Sequence, residues 1–484
     1  MSDTLTIKKP NLLNNTIKIF FLFLISSNAL EAQNSSRISQ LEDLSTEYNL
    51  PIQNQSKLTP FFKKLDSLEM GLIDRVSIIH IGDSHLQAGF SSNEVRKILQ
   101  RNFGNAGQGL VFPYKLANSN SPINSYSYSN IEWESFRNLH EQDKYKIGIK
   151  GYVVATKDSS AILKLSVKPK DSLDYSFNKV TVFHPEAAQD FQYRISQHHN
   201  REVLEESTHD YKEIIYKVKR GDFLGKIALR FGLSVQEIKR LNRLKSDRIY
   251  ENQELIVKKK ERFYDPINSD EFKTIMLSRK DFKYHSETIL DTLVNFIFID
   301  SIQTNSKAKP FQIDGIVLEK LDAPGILYHM IGVNGAMYSD YNSTDLFFKQ
   351  LPVLKPDLII VSLGTNEVAN ERQEIYEDMS LFFEKLKQTG STPFSILITT
   401  PIDYKRKKNL VYSIANQVKN YAERHELAYY NQYDVFGGKG SIQLLQKRKL
   451  AQRDGIHLTA MGYKLQGYML ALSLLESFKN QTVD

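Results

Sequence analysis

The chain runs to 484 residues, of which 41% are hydrophobic and 25% charged. That is ordinary globular material, with room for about three domains of roughly 150 residues each. The absence of cysteine excludes disulfides and thiolate metal sites and leaves the redox compartment open. The formal net charge is +7, two units of which come from Lys8, Lys9 and Lys18 set against Asp3 near the N-terminus. The remaining excess favours acidic surfaces, and no nucleic-acid fold signature accompanies it.

In chain order, Lys8, Lys9 and Lys18 precede an apolar run at 19–25, and the small residues Ser26, Ser27 and Ala29 follow. A basic start, a short apolar core and a small-residue exit read as a signal peptide over residues 1–32, with cleavage after Ala29 or Ala32. The core is shorter than the roughly 20 residues of a spanning helix. The mature chain is therefore expected to be exported, periplasmic or associated with the cell envelope, with no stable membrane span.

A lead read as polar and in part helical, residues 33–71, comes next. Residues 75–81 form an apolar, β-branched run that reads as a buried strand, and helical spacing at 91–102 ends at Gly104. The pattern changes over residues 113–311. Short runs at 148–155, 161–167, 179–183, 273–277, 293–299 and 313–319 read as strands separated by polar turns. Such spacing predicts an antiparallel sandwich or jelly roll, and the stretch is too long for a structureless loop, so it reads as an inserted domain.

Inside the insert, residues 214–258 form a smaller unit. A strand at 214–218 leads to a turn at Gly221-Asp222, two short helices at 224–231 and 235–242, and a strand at 254–257. No second copy is present, so it is a single module and not an array. Its surplus of Lys and Arg reads either as a solvated face or as attraction to carboxylate-bearing material.

From residue 325 onward, strands at 325–333, 357–363 and 395–400 alternate with helices at 371–387 and 410–425 and a closing helix at 459–478. Strand–helix alternation implies a parallel sheet, assembled from two parts, residues 72–112 and 312–484.

Three strings on these elements carry chemistry. Gly82-Asp83-Ser84-His85 follows the first strand, where Gly82 permits a tight turn. Gly364-Thr365-Asn366-Glu367 follows the 357–363 strand, and Asp454-Gly455-Ile456-His457 precedes the last helix. In a parallel sheet, sites form at the carboxyl ends of strands. Ser84 would be the nucleophile. His457 would be its base and Asp454, three residues earlier on one side of a helical turn, would orient the imidazole. The Ser84 N–H, the Gly335 N–H and the Asn366 amide would form an oxyanion hole. His85 reads as a local packing or capping residue, and His198-His199 and His209 lack metal-ligand spacing. No metal or cofactor is called for.

At these residues the chain resembles the SGNH (GDSL-type) hydrolases, whose lettered residues map onto Ser84, Gly335, Asn366 and His457, with Asp454 as the acid. The resemblance implies a flavodoxin-like three-layer α/β/α fold and metal-free ester hydrolysis. His85 stands where Leu is usual in that family and Glu367 where Asp is usual. Gly82-Asp83-Ser84-His85, Phe103-Gly104-Asn105-Ala106-Gly107 and the stretch from Gly325 to Ala336 are similar to bacterial peptidoglycan O-acetylesterases, which carry a carbohydrate-binding-like β-domain between the first two motif blocks.

The inner unit resembles a LysM domain, on Tyr216 to Asp222, Ile227-Ala228, Leu241-Asn242 and Asn252 to Leu255. The resemblance implies a groove for N-acetylglucosamine-containing glycans lined by Gly221, Asp222, Phe223, Leu224, Ile249 and Tyr250. Phe223 stands where Thr is common, Gly225 replaces an aromatic, and Glu251-Asn252 replaces Val-Gly. The expected activity is removal of O-acetyl groups from peptidoglycan or a related wall glycan. The alternatives are an esterase for another acylated polysaccharide or lipid, an acetyltransferase using the same residues, and a non-catalytic wall-binding protein.

Overall fold

The computed structural model describes residues 49–481 apart from 140–143, 169–172, 187–190, 197–208, 220–221, 232, 263–273, 277–282, 304–309 and 391–392. The expected signal peptide, the first part of the polar lead, and Gly221 lie outside the described residues. The described chain forms two compact units. One takes residues up to Ala106, those around Leu139 and those from Asp322 onward; the other takes the residues between.

The first unit is built on a five-stranded parallel sheet. Its first strand in sequence is Arg75–Gly82, second from one edge of the sheet and buried along almost its whole length. That strand pairs with Gly325–Gly332 on one side and Leu358–Ser362 on the other. Ser395–Thr399 and then Ala428–Tyr430 extend the sheet beyond Leu358–Ser362. Continuous apolar runs such as Ile78-Ile79 and Ile359-Ile360-Val361 suit a strand covered on both faces.

The pleat sends Val76 and Ile78 to one face, where they pack with Phe61, Leu99, Leu470 and Phe478 from the helices Thr59–Glu69, Phe90–Phe103 and Ala460–Gln481. Ile79 and Ile81 point the other way. The helices Tyr376–Lys387 and Lys408–Arg424 supply buried Phe382, Phe383, Val418 and Tyr421 outside the first cluster. This is the three-layer α/β/α arrangement. Each fully buried aliphatic side chain contributes about 1.5–3 kcal/mol.

A buried polar chain crosses four adjacent strands. Thr399 Oγ1 donates to Ser362 Oγ (2.8 Å), Ser362 Oγ lies 2.8 Å from His80 Nε2, and His80 Nδ1 lies 2.5 Å from the Tyr328 hydroxyl. Burial lowers the His80 pKa to about 3, so the ring is neutral and can accept at one nitrogen while donating at the other. Leaving one such buried group unpaired would cost about 1–3 kcal/mol.

Two expectations need correction. The helix expected from 371 begins at Tyr376, because Glu371 adopts a left-handed conformation (φ 59°) after the short helix Thr365–Ala369. The three-residue strand Ala428–Tyr430 was not expected.

The second unit is antiparallel. Sheets of five strands (from Ser125–Ser129 to Thr274–Met276), four strands (from Gly109–Val111 to His285–Val294) and three strands (around Tyr152–Thr156) make it up. The small βααβ module pairs His209–Lys217 with Glu254–Arg262, both longer than expected. Its helices, Leu224–Phe231 and Val235–Leu241, close over a core that includes Val218, Ile227, Ile238 and Val257. Ser234 and Glu237 form a reciprocal capping box on the second helix.

Candidate active site

Ser84 opens a short helix immediately after the strand Arg75–Gly82, capped by the Asp83 side chain, which accepts from the His85 N–H (2.9 Å). Gly82 does not serve by a left-handed turn. Its role is close approach: a Cβ there would lie 2.8 Å from the Ser362 carbonyl oxygen and 2.6 Å from Leu86 Cδ1.

The structure brings the serine and the distant histidine together. Ser84 Oγ lies 3.1 Å from His457 Nε2, and His457 Nδ1 lies 2.8 Å from Asp454 Oδ2. The Asp454–His457 segment is a side-chain-held turn and not a helical one. Asp454 Oδ1 accepts the N–H groups of Ile456 (2.9 Å) and His457 (3.0 Å), with Gly455 left-handed at φ 74°. Burial works to raise the Asp454 pKa, but the bonds from the His457 ring and from these two N–H groups outweigh it, and the net shift is downward. The carboxylate is held ionised against the imidazole N–H, the arrangement that frees Nε2 to accept a proton.

Gly335 follows the Gly325–Gly332 strand at φ 90°, a conformation that favours glycine, and a Cβ there would meet Leu139 Cδ1 at 3.0 Å. Among the described residues, the N–H groups of Ser84 and Gly335 make no hydrogen bond. Asn366 lies in the short helix after Leu358–Ser362. Its Nδ2 donates to the Ala336 carbonyl (3.0 Å) and more weakly to Asp83 Oδ2 (3.3 Å). An oxyanion would draw this amide away from the longer of the two bonds.

Three neighbours were given no role in the sequence reading, although two of them, Asp83 and Glu367, lie inside the motif strings. Asp83 is buried, and burial raises its pKa to about 7 against the lowering effect of the His85 N–H and the His457 charge. Glu367 is buried behind Asn366, accepts the Tyr338 N–H at 3.0 Å, and has its pKa raised to about 8 by burial. Tyr463, from the last helix, places its hydroxyl 3.2 Å from His85 Nδ1. Motif position did not show that Asp83 and Glu367 are buried, and Tyr463 comes from a remote element.

In the βααβ module, Phe223 and Tyr250 are 62% and 60% exposed, as a binding surface requires, and Asp222 and Ile249 are partly buried. Leu224 is a correction: at 2% exposure it belongs to the module core and cannot line a groove. Asp222 is structural in part, since its carboxylate accepts the Tyr216 hydroxyl (2.6 Å) and the Lys219 N–H (3.0 Å). Among the described residues no cluster of three His, Asp or Glu side chains is placed to hold a metal ion, and no helix is long and apolar enough to cross a membrane.

Comparison with known proteins agrees with this architecture. Residues 216–258 match the LysM domain family. A 43-residue stretch, 9% of the chain, is 60% identical to the probable peptidoglycan endopeptidase LytE of Bacillus subtilis (strain 168), and the chain spans only 13% of that relative's length. A solved structure, "Peptidoglycan O-acetylesterase in action, 5 min", aligns with a TM-score of 0.59 at 18% identity, covering 87% of this chain and 96% of that one. The two share a fold.

Proposed function

We propose that this chain is an exported serine esterase that removes O-acetyl groups from peptidoglycan or a related cell-wall glycan. The observation that carries the reading is the 3.1 Å approach of Ser84 Oγ to His457 Nε2, with Asp454 bonded to the far side of the ring. His457 takes the Ser84 proton as Oγ attacks the acetyl carbonyl. The oxyanion rests on the Ser84 and Gly335 N–H groups and on the Asn366 amide. Collapse releases the sugar hydroxyl with the proton from His457, and a water activated by the same ring then frees acetate from acetyl-Ser84.

The wall as substrate is supported by the fold shared with a peptidoglycan O-acetylesterase and by the LysM module. The basic, apolar and small-residue order of residues 1–32 supports export. Remote binding by the module would hold a polymer in place while the ester is cleaved.

The test uses the chain lacking residues 1–32, given O-acetylated and chemically de-acetylated peptidoglycan, with released acetate measured. Acetate should appear only from the first, and the Ser84→Ala variant should release none above background. Equal rates for Ser84→Ala and the parent would end the nucleophile assignment.

A further inference from the structure

Beside the proposed catalytic residues lies an open hollow of about 580 Å³ whose rim carries Lys405, Arg406, Lys407, Lys408 and Lys439, with Glu371 as its only carboxylate. The first unit alone builds it. Two contacts tie it to the site. The Lys405 N–H donates to the Gly455 carbonyl (3.0 Å), inside the Asp454–His457 turn, and Lys407 Nζ donates to Ala369 O (2.8 Å), at the end of the Asn366 helix.

The charges on this rim are not balanced. Lys407 pairs with Glu371 (3.1 Å). Among the described residues, Lys405, Lys408 and Lys439 reach only neutral amide oxygens, those of Gln446 (3.4 Å), Gln443 (3.1 Å) and Asn409 (2.8 Å). Arg406 makes no ion pair among the described residues.

A second, independent feature points the same way. The hollow sits at the N-terminus of the 17-residue helix Lys408–Arg424, which has no side-chain cap and no acidic residue in its first turn. The first N–H groups of a helix have no intrahelical acceptor, and that end carries positive partial charge. Acidic or small capping residues normally stand there. Here Lys407 and Lys408 stand there instead, so helix and side chains present like charge to one space. Such a conflict with local preference is resolved by an anion.

We propose that this hollow is a subsite for carboxylates carried by the acylated polymer next to the ester, an assignment that rests on the esterase reading above. Lys405, Lys408 and Lys439 are each held by a different amide side chain, which suits a run of singly charged groups better than one phosphate dianion. Peptide-bearing wall glycan has that chemistry.

The experiment compares the parent with Arg406→Gln/Lys408→Gln/Lys439→Gln. The substrates are O-acetylated peptide-bearing wall fragments, the same fragments stripped of peptide, and p-nitrophenyl acetate. The ratio of kcat/KM on peptide-bearing fragments to that on the small ester should fall by about tenfold or more, through KM, as expected for lost charge-assisted bonds. A charge-retaining variant, Arg406→Lys/Lys408→Arg/Lys439→Arg, should keep most of the ratio. An unchanged ratio in the neutralised variant, or an equal fall in the charge-retaining one, overturns the subsite.

A calorimetric arm with de-acetylated, peptide-bearing fragments separates this proposal from the function it rests on. Binding by the parent that the neutralised variant loses supports the subsite even if no acetate is released, a result that would sink the esterase reading alone. Acetate release with an untouched ratio would sink the subsite alone. Displacement of the fragments by inorganic phosphate but not by acetate at equal concentration would overturn the carboxylate assignment.

Discussion

The ring of His85 lies stacked on that of His457, with centroids 5.3 Å apart and planes inclined by 26°. Burial lowers the His85 pKa to about 3, so a neutral ring lies against the imidazole proposed as the base. The Tyr463 hydroxyl lies 3.2 Å from His85 Nδ1, and the two rings meet edge to face. His85→Leu, the residue usual at this position in the family resembled, loses both the stack and the hydroxyl bond. We expect kcat on an acetyl ester to fall by about tenfold, less than the roughly 10²-fold cost of a full 1 Å misplacement. The acid limb of the pH–rate profile should not move, because His85 stays uncharged. A shifted limb would mean that His85 titrates.

Asp454→Asn tests the carboxylate without disturbing the turn, since the amide oxygen can still accept from the Ile456 and His457 N–H groups. The amide nitrogen would then face His457 Nδ1 as a donor and force the proton onto Nε2, where it blocks acceptance from Ser84. The expected loss in kcat is about 10³–10⁴-fold, with KM and melting temperature little changed. A loss smaller than tenfold would show that another group orients the imidazole.

Glu367 couples stability to pH. The unfolded chain releases this proton near the ordinary value of 4.5, while the folded chain holds it to about 8. The stabilisation tied to that proton is therefore intact below about pH 4.5, declines as pH rises, and is gone above about 8. Glu367→Gln keeps an acceptor for the Tyr338 N–H and does not titrate. Its melting temperature should exceed the parent's at pH 8.5 and converge with it near pH 5. Each kcal/mol of difference is worth about 2–4 °C in a domain of this size. Parallel melting profiles would show that Glu367 is already ionised.

Phe223 and Tyr250 are exposed while the module core beneath them is closed, so Phe223→Ala/Tyr250→Ala should leave folding intact. Retention on insoluble peptidoglycan should drop by about tenfold or more, given roughly 1–3 kcal/mol for truncating exposed aromatic contacts at a binding surface. Unchanged retention would place binding elsewhere.

The side chains that meet at the site were legible because each ends an apolar run or precedes a helix, and strand ends in a parallel sheet converge in space. Arg75–Gly82 and Leu358–Ser362 announce themselves by continuous burial. Ala428–Tyr430 is too short to show a period, and Ser125–Ser129 reads as polar although three of its five side chains are buried. The tie between Asn366 and Asp83 was out of reach, since it joins residues 283 apart through a buried carboxylate. Leu224 failed for a related reason: a motif position does not say which way its side chain points.

The place of Arg75–Gly82 inside its sheet also has a consequence for biosynthesis. Both partners of Arg75–Gly82 lie downstream, the nearer starting at Gly325, about 240 residues later. At about 5–20 residues per second, a ribosome needs roughly 12–50 s to deliver that partner. Throughout that interval a largely apolar strand has neither edge satisfied, while the antiparallel unit encoded between can already close on itself. Assembly of the parallel sheet is thus the late, vulnerable step, and slowed translation between residues 82 and 325 would be felt first as aggregation.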